Sequence, residues 1–173
     1  NCHAGKLPFY RGRNILNWAL INDEKEFGIT VHYIDEGIDT GDIILQNSYC
    51  ISDKDNYKTL LERAYTDCAD ILYSAISLFK KGIPTSTKQK DINEVGFYCS
   101  QRKEGDEILD WNQTSREIFN FVRAICYPAP MARAFLNGIE MKINRAEFIE
   151  NAQNYKCIVG AILNKEKDGS FLV

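Results

Sequence analysis

One segment constrains this chain more than any other. Between Tyr57 and Lys81, the residues Leu61, Ala64, Tyr65, Cys68, Leu72, Ala75, Ile76 and Phe79 recur with a period near 3.6. That spacing predicts one long amphipathic helix. Lys80-Lys81-Gly82 closes it, with cations against the helix dipole and then a glycine. Such a helix must lay its apolar stripe on another element. Two β-rich runs precede it, Gly28–Asp35 and Asp42–Ile51, separated by Asp35–Asp42, which holds two glycines and four acids and reads as a loop. A short helix is expected at Asn14–Asn22, where Ile15, Trp18 and Ala19 share a face. Parallel strands need helical crossovers, and the long helix has the length for one. An open α/β sheet is therefore expected over residues 1–90.

The remainder, residues 91–173, reads as a small α+β unit after a polar linker at Pro84–Glu94. Thr114-Ser-Arg-Glu117 is a capping box. It opens a helix with Ile118, Phe121, Val122 and Ile125 on one face, ended by Pro128 and Pro130. Trp111, just before it, reads as a hydrophobic staple. Met131–Phe135, Ile139–Ile149 and Cys157–Leu163 are expected as antiparallel strands. Both ends look cut: Asn1 has no strand or cap before it, and the chain stops in the strand after the Asp168-Gly169 turn. The reading is an internal fragment of a longer polypeptide.

Composition narrows the function classes. Apolar residues are 45% and charged residues 26% of 173, which excludes disorder, collagen and a pure coiled coil. The net charge of −3 argues against a bulk nucleic-acid binder. No apolar run reaches the ~18–20 residues of a membrane span. The six cysteines contain no CxxC pair, so free thiols in a reducing cytoplasm are expected, with no metal.

Chemistry concentrates near the start. Asn1-Cys-His3 places an amide and an imidazole on one side of an extended segment. Asn1 suits a developing oxyanion, and His3 suits proton transfer. Lys6–Arg13 (KLPFYRGR) carries three cations and no acid, which suits a phosphate. Asp39-Thr-Gly41 offers a carboxylate on a flexible turn, and a carboxylate beside His3 would orient the ring and favour its charged form. His32, in mid-strand, reads as packed or edge-exposed rather than catalytic.

In order along the chain, NCHAGKLPFYRGRN, WALIN, GITVHYIDEGIDTGDII and LDWN…VRAICYPAP resemble the 10-formyltetrahydrofolate-dependent formyltransferase family. HAGKLPFYRGRN and DEGIDTGDIIL look most like its sugar branch, which acts on dTDP-linked 3-amino-3,6-dideoxyhexoses in surface-polysaccharide biosynthesis. The resemblance implies the later part of an open Rossmann-like sheet with a small C-terminal appendage. Asn1, His3 and Asp39 would take the catalytic positions. The sugar amine would attack the formyl carbon of N10-formyltetrahydrofolate. Asn1 and a protonated His3 would stabilise the oxyanion, and Asp39 would sustain His3 and help strip the amine. Ile34, Asp35, Glu36, Gly37 and Ile38 would contribute to the pterin pocket. Lys6, Tyr10, Arg11, Arg13, Arg123 and Tyr127 would bind the sugar nucleotide. Where many members have a glycine after the second proline of the Tyr-Pro-x-Pro corner, this chain has Met131.

The resemblance implies a cytoplasmic transferase with folate and a dTDP-amino sugar as partners, no nucleic acid, no membrane, and a homodimer by analogy. The alternatives are a methionyl-tRNA formyltransferase, a formyltetrahydrofolate hydrolase and a non-catalytic nucleotide-binding module. Residues 101–145 hold seven Lys+Arg against six Asp+Glu, which weighs against a tRNA-binding face.

Overall fold

The computed structural model describes residues 1–153 and 157–173. Two short strands, β1 (Cys2–His3) and β2 (Arg11–Gly12), lead into helix α1 (Ile15–Ile21). Strands β3 (Glu26–His32) and β4 (Ile43–Cys50) follow, then helix α2 (Tyr57–Phe79). A single turn, α3 (Gln89–Ile92), and strand β5 (Tyr98–Cys99) lead to helix α4 (Ser115–Ala124). Two hairpins complete the chain, β6 (Ala132–Leu136) with β7 (Ile139–Ile143), and β8 (Asn164–Lys165) with β9 (Phe171–Leu172).

The main sheet has the order β1-β3-β4, and both of its pairings are antiparallel. The crossover expected of the long helix is not there. The eight-residue loop between the two runs is too short for a parallel return, which takes a dozen residues or more. Instead α2 lies on the sheet through Leu60, Ala64, Ile71 and Ala75, all buried. Asn56 and Thr59 cap its start reciprocally, and it gives way at Lys80, before Gly82 at φ 133°. Its outer face leaves Tyr65, Tyr73, Ile76 and Phe79 exposed. Parallel pairing joins β2 to β5, two residues each.

The core crosses the expected boundary. Leu16 and Leu20 of α1, Phe27, Ile29 and Val31 of β3, and Leu60 and Ile71 of α2 share one buried cluster with Val122, Ala124 and Ile125 at α4. Asn17 ties the two halves further, its side-chain amide donating to the Ala124 carbonyl. The capping box that starts α4 forms as expected: Thr114 Oγ1 accepts from the Glu117 N–H, and Glu117 accepts from the Thr114 N–H.

Three further expectations need correction. Pro84–Glu94 is more than a linker: Thr87 bridges to Ile43 through two 2.8 Å backbone bonds, and Gln89 is buried. Cys157–Leu163 is not a strand. Gly160, at φ +75°, lies so close to the Trp111 ring that an added Cβ would stand 3.0 Å from Cγ, and pairing resumes only at Asn164. Likewise β7 stops at Ile143 instead of continuing to Ile149. All six cysteines are free thiols. Among the described residues, no helix is long and apolar enough to cross a membrane.

A charged cluster fastens α4 to the rest. Arg116 grips Asp23, after α1, at 2.5 Å and Asp53, before α2, at 2.7 Å. Its guanidinium also covers the rings of Phe119 and Phe148. Hydrogen bonding to Arg116 holds the Asp23 and Asp53 carboxyls below their usual range. Groups depressed in the folded state add stability above their unfolded pKa and lose it as pH falls through the folded value. Melting temperature should therefore fall between about pH 4 and lower pH, where these carboxylates take up protons. In Arg116→Met the same curve should be flatter; curves of equal steepness would remove the cluster from the acid response.

Candidate active site

The site is assembled by β1, β3 and the loop that joins β3 to β4. Because β1 is antiparallel to β3, Cys2 faces Val31 and His3 faces Thr30. Asn1 then lies opposite His32: its backbone nitrogen donates to the His32 carbonyl at 2.9 Å and its carbonyl accepts from His32 N–H at 3.0 Å. The loop closes where Tyr33 N–H meets the Asp42 carbonyl at 2.9 Å. Asp35 folds its first half by accepting from Gly37 N–H and the Thr40 hydroxyl. Gly41 is required there, since a Cβ would collide with the Tyr33 carbonyl. Asp39 itself sits at φ 55°, a left-handed conformation that non-glycine residues seldom adopt.

The Asp39 carboxylate meets four partners through its two oxygens. Oδ1 accepts from Asn1 Nδ2 at 3.2 Å and lies 3.5 Å from His32 Nε2. Oδ2 accepts from the Gly12 N–H at 3.0 Å and lies 3.6 Å from His3 Nδ1. The three residues singled out in the sequence, Asn1, His3 and Asp39, thus converge. The other nitrogen of His3, Nε2, donates to the Tyr10 carbonyl at 2.7 Å. Gly5 makes this approach possible, because a Cβ would overlap both His3 Nε2 and that carbonyl.

His32 is packed, as its reading expects, and it also joins the cluster. It is 3% exposed, and its Nδ1–H donates to the Tyr33 carbonyl at 2.7 Å. That bond leaves Nε2 as an acceptor, which takes a hydrogen from Asn1 Nδ2 at 3.2 Å. Burial pushes the His32 pKa below its ordinary value, in keeping with a neutral ring. Both hydrogens of the Asn1 amide therefore face acceptors, which sets the orientation of that amide. The readable signal was Thr30 and His32, two polar side chains on one face of an otherwise apolar run; buried polar groups need partners.

The other expected site residues separate into two groups. Ile34 (80% exposed), Glu36, Gly37 and Ile38 stand on the exposed tip of the loop, with Asp35 bonded inside it. Beside them opens a cleft of about 270 Å³, lined by Asn1, His32, Ile34, Leu72 and Phe79. Arg13 and Tyr127 are exposed. Lys6 instead pairs with Glu26. The Tyr10 hydroxyl donates to Glu24 at 2.5 Å, and burial with that carboxylate raises its pKa well above the ordinary value. Arg11 is buried and committed to Gln89 and Tyr98. Arg123 is buried too, donating to Asn120 and to the Ser52 and Asp55 carbonyls. The cationic stretch 6–13 therefore buries one of its three charges, Arg11, and pairs a second, Lys6, with Glu26.

An amide donor, an imidazole and a carboxylate converging beside an open cleft can stabilise an oxyanion and move a proton. Residues 1–76 match the model of the formyl transferase family, and residues 102–173 match that of the formyl transferase C-terminal domain. This chain belongs to the formyl transferase family. The methionyl-tRNA formyltransferase of Fusobacterium nucleatum is 39% identical across the whole chain, which covers 57% of that protein. That of Thermodesulfovibrio yellowstonii is 43% identical over 87% of the chain and 47% of the relative. The chain spans about half the length of these curated relatives. The crystal structure of WlaRD, a sugar 3N-formyl transferase in the presence of dTDP and 5-N-formyl-THF, has a TM-score of 0.74 at 28% identity. That match covers 91% of this chain and 56% of that one. The α/β fold is thus that of the formyl transferase family.

Proposed function

We propose that the protein carrying this chain transfers the formyl group of N10-formyltetrahydrofolate to the amino group of methionyl-tRNA. The carrying observation is the 39% identity to a methionyl-tRNA formyltransferase over the entire chain, against 28% to the sugar enzyme WlaRD. This replaces the dTDP-amino sugar as leading acceptor and reverses the expectation of no nucleic-acid partner. The near-balanced charges of residues 101–145 argued for the sugar, but the chain covers only about half of each relative, so the count samples part of any tRNA surface.

In this mechanism the acceptor amine attacks the formyl carbon and a C–N bond forms. Asn1 Nδ2 turns one of its two long 3.2 Å bonds to the developing oxyanion. The amine proton passes to Asp39, and His3, held by the Tyr10 carbonyl with its Nδ1 3.6 Å from Asp39 Oδ2, shares it. The bond from the formyl carbon to N10 then breaks, and N10 regains a proton. Ile34 lines the cleft, and with Asp35, Glu36, Gly37 and Ile38 of the same loop it forms part of the pterin site. Arg13 and Tyr127 remain available to the acceptor. Residues 1–90 carry the catalytic groups, and residues 91–173 make up the C-terminal unit, which shares the core through Val122, Ala124 and Ile125. The six free thiols favour a reducing cytoplasm.

A second reading, formyl transfer to a dTDP-amino sugar by a homodimer, is favoured by the likeness to WlaRD and by the HAGKLPFYRGRN and DEGIDTGDIIL segments. The intact protein should be incubated with N10-formyltetrahydrofolate and, separately, methionyl-tRNA or a panel of dTDP-amino sugars. Formylmethionyl-tRNA formation supports the proposal. A formylated sugar nucleotide alone moves the function to the second reading. Folate consumed with neither acceptor identifies a hydrolase, and no turnover leaves a nucleotide-binding module.

A further inference from the structure

Gln89 is 3% exposed, in a segment whose sequence suggested only a linker. Its side-chain amide is fully used. Oε1 accepts from Arg11 Nε at 3.0 Å and Arg11 Nη2 at 2.7 Å. Nε2 donates to the Asp39 carbonyl and to the Gly41 carbonyl, each at 2.8 Å. A glutamine has two donor hydrogens and two strong acceptor positions, and all four are matched. A flipped amide would set its oxygen against two carbonyls and its nitrogen against a guanidinium, so the orientation is determined.

We propose that Gln89, anchored by the buried Arg11, is a positioning residue that aims the Asp39 carboxylate. One amide nitrogen grips the carbonyls on both sides of Thr40, which holds Asp39 in its left-handed conformation. The carboxylate is held from the same strand as the anchor, because Gly12 N–H donates to Oδ2 at 3.0 Å and Gly12 follows Arg11 in β2. A closed circuit results: the Arg11 side chain to Gln89, Gln89 to the Asp39 backbone, and the Asp39 side chain back to Gly12. The segment carrying Gln89 is itself fastened at the start of β4 through Thr87 and Ile43. Arg11 is fixed in turn by Tyr98, whose ring lies 5.2 Å from the guanidinium and whose hydroxyl accepts from Nη1 at 3.4 Å. A charged buried side chain and a fully matched amide converge on a loop at the exposed end of the sheet. Loops aim a side chain less sharply than strands, so a catalytic loop gains most from such support.

The proposed role rests on Asp39 acting in formyl transfer, so the test includes a readout that needs no substrate. Gln89→Glu keeps the shape and the acceptor for Arg11 but removes both N–H donors. Gln89→Met removes all four bonds at similar volume and serves if the first variant folds poorly. In the intact protein, amide hydrogen exchange over residues 36–43 should quicken at least about tenfold in either variant, while exchange in α2 and β3 stays at the wild-type rate. The turnover number should fall about tenfold to a hundredfold, with KM for the formyl donor changing less, as expected when a reacting group is displaced by a fraction of an ångström. Wild-type loop exchange in both variants overturns the proposal. Faster exchange throughout, with a lower melting temperature and an unchanged turnover number, overturns it as well, because Gln89 then only stabilises the fold. If the wild type formylates no acceptor, the functional reading fails, and loop exchange still decides whether Gln89 holds the turn.

Discussion

Asp39→Asn should lower the turnover number for formyl transfer by about 10²–10³, the scale seen when one preorganised group of an oxyanion site is lost. The geometry leaves the asparagine no good orientation. Its NH2 can occupy the place of Oδ2, where it meets the Gly12 N–H, or that of Oδ1, where it meets the Asn1 NH2. Either way a donor faces a donor, and the Asn1 amide and the His3 ring lose their common orienting charge. The loop itself should stay closed, because Gln89 holds the backbone and not the carboxylate. The melting temperature should therefore fall by about 2–12 °C, in line with about 1–3 kcal/mol for a mismatched polar group. Turnover measured with saturating formyl donor tests this, and a variant that keeps more than a tenth of wild-type activity would remove Asp39 from the chemistry.

Ile29→Ala should have the largest effect on stability. Ile29 is fully buried at the centre of β3, with Phe27 and Val31 on the same face of the strand. It belongs to the cluster that joins α1, α2 and α4. Removing three carbons there leaves a cavity that rigid neighbours on several elements cannot close. The expected cost is about 2–5 kcal/mol. For a domain of this size that corresponds to a fall of about 4–20 °C in melting temperature. Ile83→Ala is the control: that side chain is 90% exposed, and its loss should change stability by less than about 0.5 kcal/mol. Thermal unfolding of both variants decides the matter. Equal melting temperatures would mean that β3 is not the centre of the core.

Both predictions depend on how far sequence distance and spatial distance diverge. The helices α2 and α4, the capping box of α4, the glycine end of α2 and the acidic turn were legible because periodicity, caps and glycines act within a few residues. The pairing of Asn1 with His3 was legible for the same reason, since alternate residues of a strand share a side. Asp39 followed from the family resemblance, which carried a position that spacing alone leaves open. The antiparallel direction lay in the eight-residue loop, too short for a parallel return, but the long helix drew the expectation of a crossover.

His32 and Gln89 were hidden for a related reason. Each looks ordinary among its sequence neighbours, and each acquires its role from a partner far along the chain: Asn1 lies 31 residues from His32, and Arg11 lies 78 residues from Gln89. Burial of Arg11 and Arg123 turned two expected phosphate ligands into structural anchors in the same way. Residue order alone carries local conformation and the chemical inventory of the site, because those depend on covalent neighbours. Tertiary packing chooses which inventory members face the cleft and which hold them there, because desolvation obliges every buried polar group to find a partner wherever the fold brings one.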